Sequence, residues 1–284
     1  MQLFKMIIMN RITFVPVGGL ANRMRAIASV ITLAQQTDSK LKVIWFPTWD
    51  LYAPFDFLFE PINKDCITLR NASTWDKFTI DRPRRKNLCL PYLFQYLTFG
   101  DCKYECSFYS LIQQKFDFKE WITSKRKVYM ASYHAFYPYE QSLIGEIFTP
   151  IQFIKERIDD RCTQFVNNTI GVHIRRTDNI ASIQQSPLEL FFEKVDEELD
   201  KDNHTMIYLA TDSEEVKLQM RKRYGNRIIS SSTPADRNSV AGIQDGLIDM
   251  YTLARTRKIY GSFQSSFSEM ASQIGGIPLE ILKK

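Results

Sequence analysis

Apolar and polar positions alternate in long, separable blocks along this chain. RITFVPV (residues 11–17) is a β-type run that ends in Gly18 and Gly19. The next block, ANRMRAIASVITLAQQ, sets Met24, Ile27, Ala28, Ile31 and Ala34 on one face of a 3.6-residue helix. A polar break, DSK, leads into the apolar run LKVIWF, so the N-terminal part reads as strand, glycine turn, helix, strand. The opening MQLFKMIIMN is apolar but interrupted by Lys5 and Asn10. It has no small-residue cleavage site and reads as strand rather than signal peptide. Between residues 47 and 148 the periodicity weakens into aromatic-rich segments, and only KVYMASY stands out as a strand.

The second half is regular. Strands are predicted at 169–174, 206–211, 227–229, 258–260 and 278–282, with helices at 187–199, 213–224, 243–255 and 266–274. Such alternation predicts a parallel sheet wrapped by helices, a Rossmann-like domain. A boundary is expected just ahead of the helical run IQFIKERIDDRCTQF. The fold class is therefore α/β, with two Rossmann-like domains, 1–149 and 150–284, and a cleft between them. There is no internal repeat.

Composition narrows the function without naming it. With 284 residues, 44% of them apolar and 24% charged, the chain matches ordinary globular proteins and can bury ample core. No window reaches the roughly 18 unbroken apolar residues of a membrane span. Five cysteines in a chain of this size fit reduced thiols and a cytoplasmic setting better than a disulfide framework. Cys89, Cys102 and Cys106 form no CxxC pair, and a zinc site with the distant His134 is disfavoured. The acceptor triplets at Asn71, Asn167 and Asn203 read as chance. A net charge of +5 is mild; DRPRRKN (residues 81–87) reads as a solvated loop, and no nucleic-acid partner is expected.

Chemistry concentrates at strand ends. In open parallel sheets, ligands bind beyond the carboxyl ends of strands. Three such ends carry polar clusters: TIGVHIRRTDN with Arg175, Arg176 and Asp178, LATDS with Asp212, and YGSFQSSFS with Ser265, Ser266 and Ser268. Arginine's planar fork grips phosphate oxygens and stays charged at any working pH. Serines at a helix start offer hydroxyls and unpaired N–H groups to the same anion. Plain helix capping by ATDS and SSFS, and a salt-bridged arginine loop, are the structural alternatives. The glycine turn VGGLANRMR, with Asn22, Arg23 and Arg25 around a helix start, is neither GxGxxG nor a P-loop.

GGLANR (18–23), HIRRTD (173–178), ATD (210–212) and GLIDMYTLARTRKIYGSFQSSFSEMA (246–271), in this order along the chain, resemble the fucosyltransferase superfamily. The likeness is strongest to its α-1,6 enzymes, and the group also holds α-1,2 and protein O-fucosyltransferases. The resemblance implies a GT-B-like fold and an inverting transfer from GDP-fucose to a glycan acceptor without a metal or other cofactor. It also implies roles. Arg175 would hold the β-phosphate, with His173 facing the donor and Arg176 supporting the loop or the sugar. Asp249 would read guanine, and Ser265, Ser266 and Phe267 would line pyrophosphate and base. Gly18, Gly19, Asn22 and Arg23 would meet the donor from the first domain, while Asp178 would orient an arginine. The α-1,6 enzymes carry a glutamate beyond the arginines as base; here Ile183 and Gln184 occupy that stretch. The base is then Asp178, a carboxylate of the first domain or a β-phosphate oxygen. A guanine-nucleotide or anion-binding module without catalysis is the alternative reading.

Overall fold

The computed structural model describes residues 9–48, 50–177 and 179–284; the opening segment, Trp49 and Asp178 lie outside the described residues. The chain divides into two compact units, Met1–Phe148 and Thr149–Lys284.

In unit 1 the elements run β1 (Arg11–Pro16), α1 (Leu20–Gln36), β2 (Lys40–Trp45), β3 (Ile67–Asn71), α2 (Asp76–Thr79) and α3 (Leu90–Thr98). They continue with β4 (Asp101–Lys103), α4 (Glu105–Gln113), α5 (Phe118–Ser124), β5 (Lys127–Ser132) and α6 (Ser142–Ile147). The described strand pairings of its sheet are parallel, in the order β3-β2-β1-β5-β4. The segment the periodicity leaves blank thus holds strands β3 and β4 and helices α2 to α6. Its elements are short, β4 only three residues and α2 four, too few for a period to register.

Unit 2 runs α7 (Gln152–Cys162), β6 (Ile170–Ile174), α8 (Ile180–Gln185), α9 (Leu188–Lys201), β7 (Ile207–Thr211) and α10 (Glu214–Tyr224). It closes with β8 (Ile228–Ser230), α11 (Val240–Leu253), β9 (Ile259–Ser262), α12 (Ser266–Gly275) and β10 (Leu279–Leu282). Its sheet, again parallel, has the order β10-β9-β6-β7-β8. Helices cover both faces of such sheets, which is why β6 and β7 are buried at every position rather than at alternate ones. Ile170, Val172, Ile174, Phe191, Val195, Ile207 and Leu209 anchor this core.

The strand order positions the candidate site. Each unit builds outward from its first strand on one side, then crosses over and builds on the other. The switch falls between β1 and β5 in unit 1 and between β6 and β9 in unit 2. Connections leave the sheet in opposite directions at that point and open a crevice beyond the strand ends.

Candidate functional site

The crevice of unit 2 is framed by the segments that follow β6 and β9. His173 sits within the last turn of β6 with its ring buried. Its imidazole stacks on Phe267 with ring centroids 4.7 Å apart, and its Nδ1 lies 3.4 Å from the Ser265 hydroxyl. Burial, reinforced by the neighbouring Arg175 guanidinium, pulls its pKa down to about 4, so the ring is neutral at pH 7. Two bonds join the strand ends: the Arg175 backbone N–H donates to Ser262 Oγ (3.1 Å), and that hydroxyl donates to the His173 carbonyl (3.3 Å). Arg175 therefore leaves the sheet directly over the switch point, its side chain half-buried.

Helix α12 begins at the same place. Ser265 holds the N-cap position yet makes no side-chain cap; its hydroxyl faces His173 instead. The plain capping alternative for SSFS does not hold, and the N–H groups opening α12 point, with the helix dipole, toward the crevice. Close packing brings the helix down onto β9: a Cβ at Gly261 would lie 2.6 Å from Ser268 Oγ. Ser266 and Phe267 in this first turn are half-buried.

Arg176 supports the loop, one of the two roles expected of it, and Asp212 braces the same loop. Asp212 accepts from the Arg176 N–H (2.7 Å) and from the Thr177 hydroxyl (2.7 Å), which shapes the loop. Ser213 caps α10 by accepting from the Val216 N–H, so the capping alternative for ATDS holds for that serine. The Arg176 guanidinium turns back to the carbonyls of Arg175 (3.0 Å) and Ser186 (2.7 Å) and is pushed down from the usual arginine pKa by burial. Both residues hold Arg175 in place.

Asp249 is not joined to this group by any hydrogen bond of the described residues. Its Oδ1 accepts from Tyr208 (2.6 Å) and from Arg161, which also pairs with Asp245. Asp245 in turn accepts from Ser231 and Thr233 at 2.7 Å each. Burial raises the Asp249 carboxyl to about 6 against the pull of Arg161, leaving it ionised at neutral pH. Tyr208 pairs with Gly171, two residues before His173, so the cluster lies deeper along the sheet than Arg175.

In unit 1 the switch point carries the glycine turn. Gly18 has φ +79°, a left-handed conformation that favours glycine. Gly19 precedes α1 with no side-chain cap. Asn22 Oδ1 is buried and makes no hydrogen bond. Arg23 is 1% exposed and spends its guanidinium on the Gly18 carbonyl (2.7 Å), the Phe46 carbonyl (2.7 Å) and Thr48 Oγ1 (3.0 Å). It props the turn from beneath, a correction to its expected place facing a ligand.

Three residues outside the expected set matter: Ser262, Ser186 and Asn179. Ser186 Oγ accepts from the Phe263 N–H (2.8 Å), and Asn179 donates to the Gln264 carbonyl (3.2 Å), tying the arginine loop to the β9–α12 turn. Ser262 stood inside YGSFQSSFS and Asn179 closes TIGVHIRRTDN; Ser186 carried no sequence signal. DRPRRKN is also not simply solvated: Arg82 bonds Glu105 and Arg84 pairs with Asp81. Among the described residues no group of three His, Cys, Asp or Glu could hold a metal. No described helix is long and apolar enough to cross a membrane.

With its two parallel sheets of doubly wound order, the chain has a GT-B-like α/β fold. Solved structures of fucosyltransferases share it. NodZ α-1,6-fucosyltransferase soaked with GDP-fucose matches at 18% identity and a TM-score of 0.64, covering 93% of this chain and 92% of that one. NodZ from Bradyrhizobium matches at 18% identity and 0.64 over 92% of each chain. Arabidopsis thaliana FUT1 with GDP matches at 13% identity and 0.60, over 96% of this chain and 70% of that one. POFUT1 with GDP matches at 12% identity and 0.58, over 96% and 98%. No family model and no curated protein matches the sequence.

Proposed function

We propose that this protein is an inverting, metal-independent glycosyltransferase that moves a sugar, L-fucose, from its GDP conjugate to a glycan acceptor. The observation that carries this reading is the unit 2 switch point, where Arg175 and the uncapped N-terminus of α12 face one crevice. Residues 150–284 then bind the donor, and residues 1–149 serve the acceptor. The fold shared with fucosyltransferases crystallised with GDP or GDP-fucose supports it.

The chemistry fits the residues. Breaking the anomeric C–O bond leaves negative charge on the departing diphosphate. Arg175 and the N–H groups of Ser266 and Phe267 are fixed before that charge appears, and one such donor is worth about 3 kcal/mol of barrier. His173, neutral and stacked on Phe267, offers a hydrogen bond without adding charge. Asp249 keeps its guanine-reading assignment on this reading, beside the bonds that its Oδ1 accepts from Arg161 and Tyr208. Gly18, Gly19 and Asn22 are assigned to the donor on the same reading, Asn22 Oδ1 being a buried acceptor in need of a partner. Asp178 stays a candidate for orienting an arginine or accepting the acceptor's proton.

A second reading, guanine-nucleotide binding without transfer, is favoured by Ile183 and Gln184 standing where α-1,6 enzymes have their base. Calorimetry with GDP, ADP and UDP in EDTA, beside Arg175→Ala and followed by a GDP-fucose turnover assay, separates the two. Binding of GDP alone, lost in the variant, with turnover of GDP-fucose is the expected outcome. Binding without turnover supports the second reading, and no binding by the folded protein removes both.

A further inference from the structure

Helix α3 is inside out. Its buried side is Pro91 and Gln95, and Gln95 is fully covered, donating to the carbonyls of Thr79 (3.2 Å) and Asp81 (2.8 Å) and accepting from Tyr104 (2.9 Å). Its outer side is apolar: Leu93 is 62% exposed, Tyr96 72% and Leu97 74%. Leu88, Leu90 and Tyr92 extend this surface at the start of the helix, and Trp75 and Phe78 of the α2 region add to it, α2 and α3 being packed together. A helix normally turns such a stripe to the core. Contiguous exposed apolar surface of this kind marks a place where something docks.

The charge around it is one-sided. Within residues 72–98 the carboxylates are Asp76 and Asp81, both buried and paired with Arg70 and Arg84. Lys77, Arg85 and Lys86 are exposed. On the inner flank of α3, Phe94 and Thr98 line a cavity of about 690 Å³ that also takes in Arg11, Lys40, Lys42 and Lys127, with no carboxylate in its wall. Burial, together with Arg11 and Lys42, pulls the Lys127 ammonium below the usual lysine range, as crowded like charges without an anion do.

We propose that this face of unit 1 seats on an anionic lipid bilayer. Leucine side chains would enter the acyl boundary, while tryptophan and tyrosine rings lie at the headgroup level, where these amphipathic rings concentrate. Lys77, Arg85 and Lys86 meet lipid phosphates, and the basic cavity accepts a headgroup beside the helix. At nine residues α3 lies along the surface and does not cross it. A second copy of the chain fits the face poorly: a two-fold interface would set these cations against their own images, with no exposed carboxylate in the segment to answer them. The inference is independent of the nucleotide site.

The test is co-sedimentation with vesicles of phosphatidylcholine alone and of phosphatidylcholine mixed with phosphatidylglycerol. The protein is expected to pellet with the mixed vesicles, with its tryptophan emission shifting to shorter wavelength, a shift that Trp75→Phe removes. Leu93→Ser with Leu97→Ser, and separately Arg85→Gln with Lys86→Gln, are each expected to weaken binding about tenfold or more while GDP binding and thermal melting stay unchanged. All four positions are solvent-facing, so the charge pair serves even if the leucine pair misfolds. Three results overturn the proposal. One is protein that stays in solution with anionic vesicles. Another is vesicle binding unchanged by both pairs of substitutions. The third is a dimer that the leucine pair converts to monomer with no vesicle binding in the parent.

Discussion

Both units place an arginine near the end of their central strand, and the two arginines do opposite things. Arg23 is sealed beneath the glycine turn, bonded to two carbonyls and a threonine and stacked 4.7 Å over Trp45. Burial drags its guanidinium down to about 9 despite the nearby Asp50. Arg175 leaves β6 over the switch point with its backbone bonded to Ser262, while Arg176 and Asp212 brace the loop behind it. The lesson is that residue type does not assign the role. An arginine surrounded by unpaired carbonyls becomes scaffold; one that leaves a strand beside a helix N-terminus stands where an anion is favoured.

The largest expected effect tests the scaffold arginine. Arg23→Ala removes the partner of two buried carbonyls and leaves a cavity, so urea unfolding is expected to show a loss of about 4 kcal/mol. A loss below about 1 kcal/mol would erase the contrast with Arg175. Arg175→Ala should leave that unfolding midpoint in place and slow sugar transfer by about 10²–10³-fold, or about 3 kcal/mol. A shifted midpoint with unchanged turnover would instead make Arg175 the scaffold.

His173 sharpens the picture of the crevice. Its folded pKa, about 4, is below the ordinary 6.5, so acid protonates the unfolded chain first. Its burial costs nothing above about pH 6.5; between about 6.5 and about 4 it should remove about 3 kcal/mol of stability. His173→Gln should flatten that part of the stability–pH curve, and an unflattened curve would assign the slope to other groups. Next in size, Asp212→Ala unties the arginine loop, with GDP affinity expected to fall about tenfold and stability by about 1 kcal/mol. At the small end, Asp159→Asn breaks the exposed pair with Arg255 and should cost less than about 0.5 kcal/mol by thermal melting.

Legibility in the sequence followed element length and repetition. Apart from the short α8, unit 2's strands and helices fall within a few residues of their predicted spans, because apolar strand runs and helical apolar stripes there are separated by polar turns. The three polar strand ends could be named before any coordinates, since β6, β7 and β9 are neighbours whenever βα alternation folds in the doubly wound order. The middle of unit 1 was opaque for the reverse reason. Its strands are brief edge pieces, and α3 inverts the usual pattern by burying a glutamine and exposing leucines. Trp45 and Trp121 are buried, while Trp75 stands 69% exposed. No local pattern distinguishes the three.

Read alone, the amino-acid sequence determined that the chain is α/β, where its charged strand ends lie, and that Arg175, His173 and the serines after β9 share one edge. These follow from periodicity and from the geometry of parallel sheets, which are local. Only the tertiary structure decided which of those residues face outward. Arg23, Arg176 and Asp212 turn to backbone groups distant in sequence, Asp249 is held by Arg161 88 residues away, and the leucines of α3 face solvent. Such pairings depend on which carbonyls and charges the fold brings near each side chain. That is a property of contacts between segments, which a pattern along one chain does not encode.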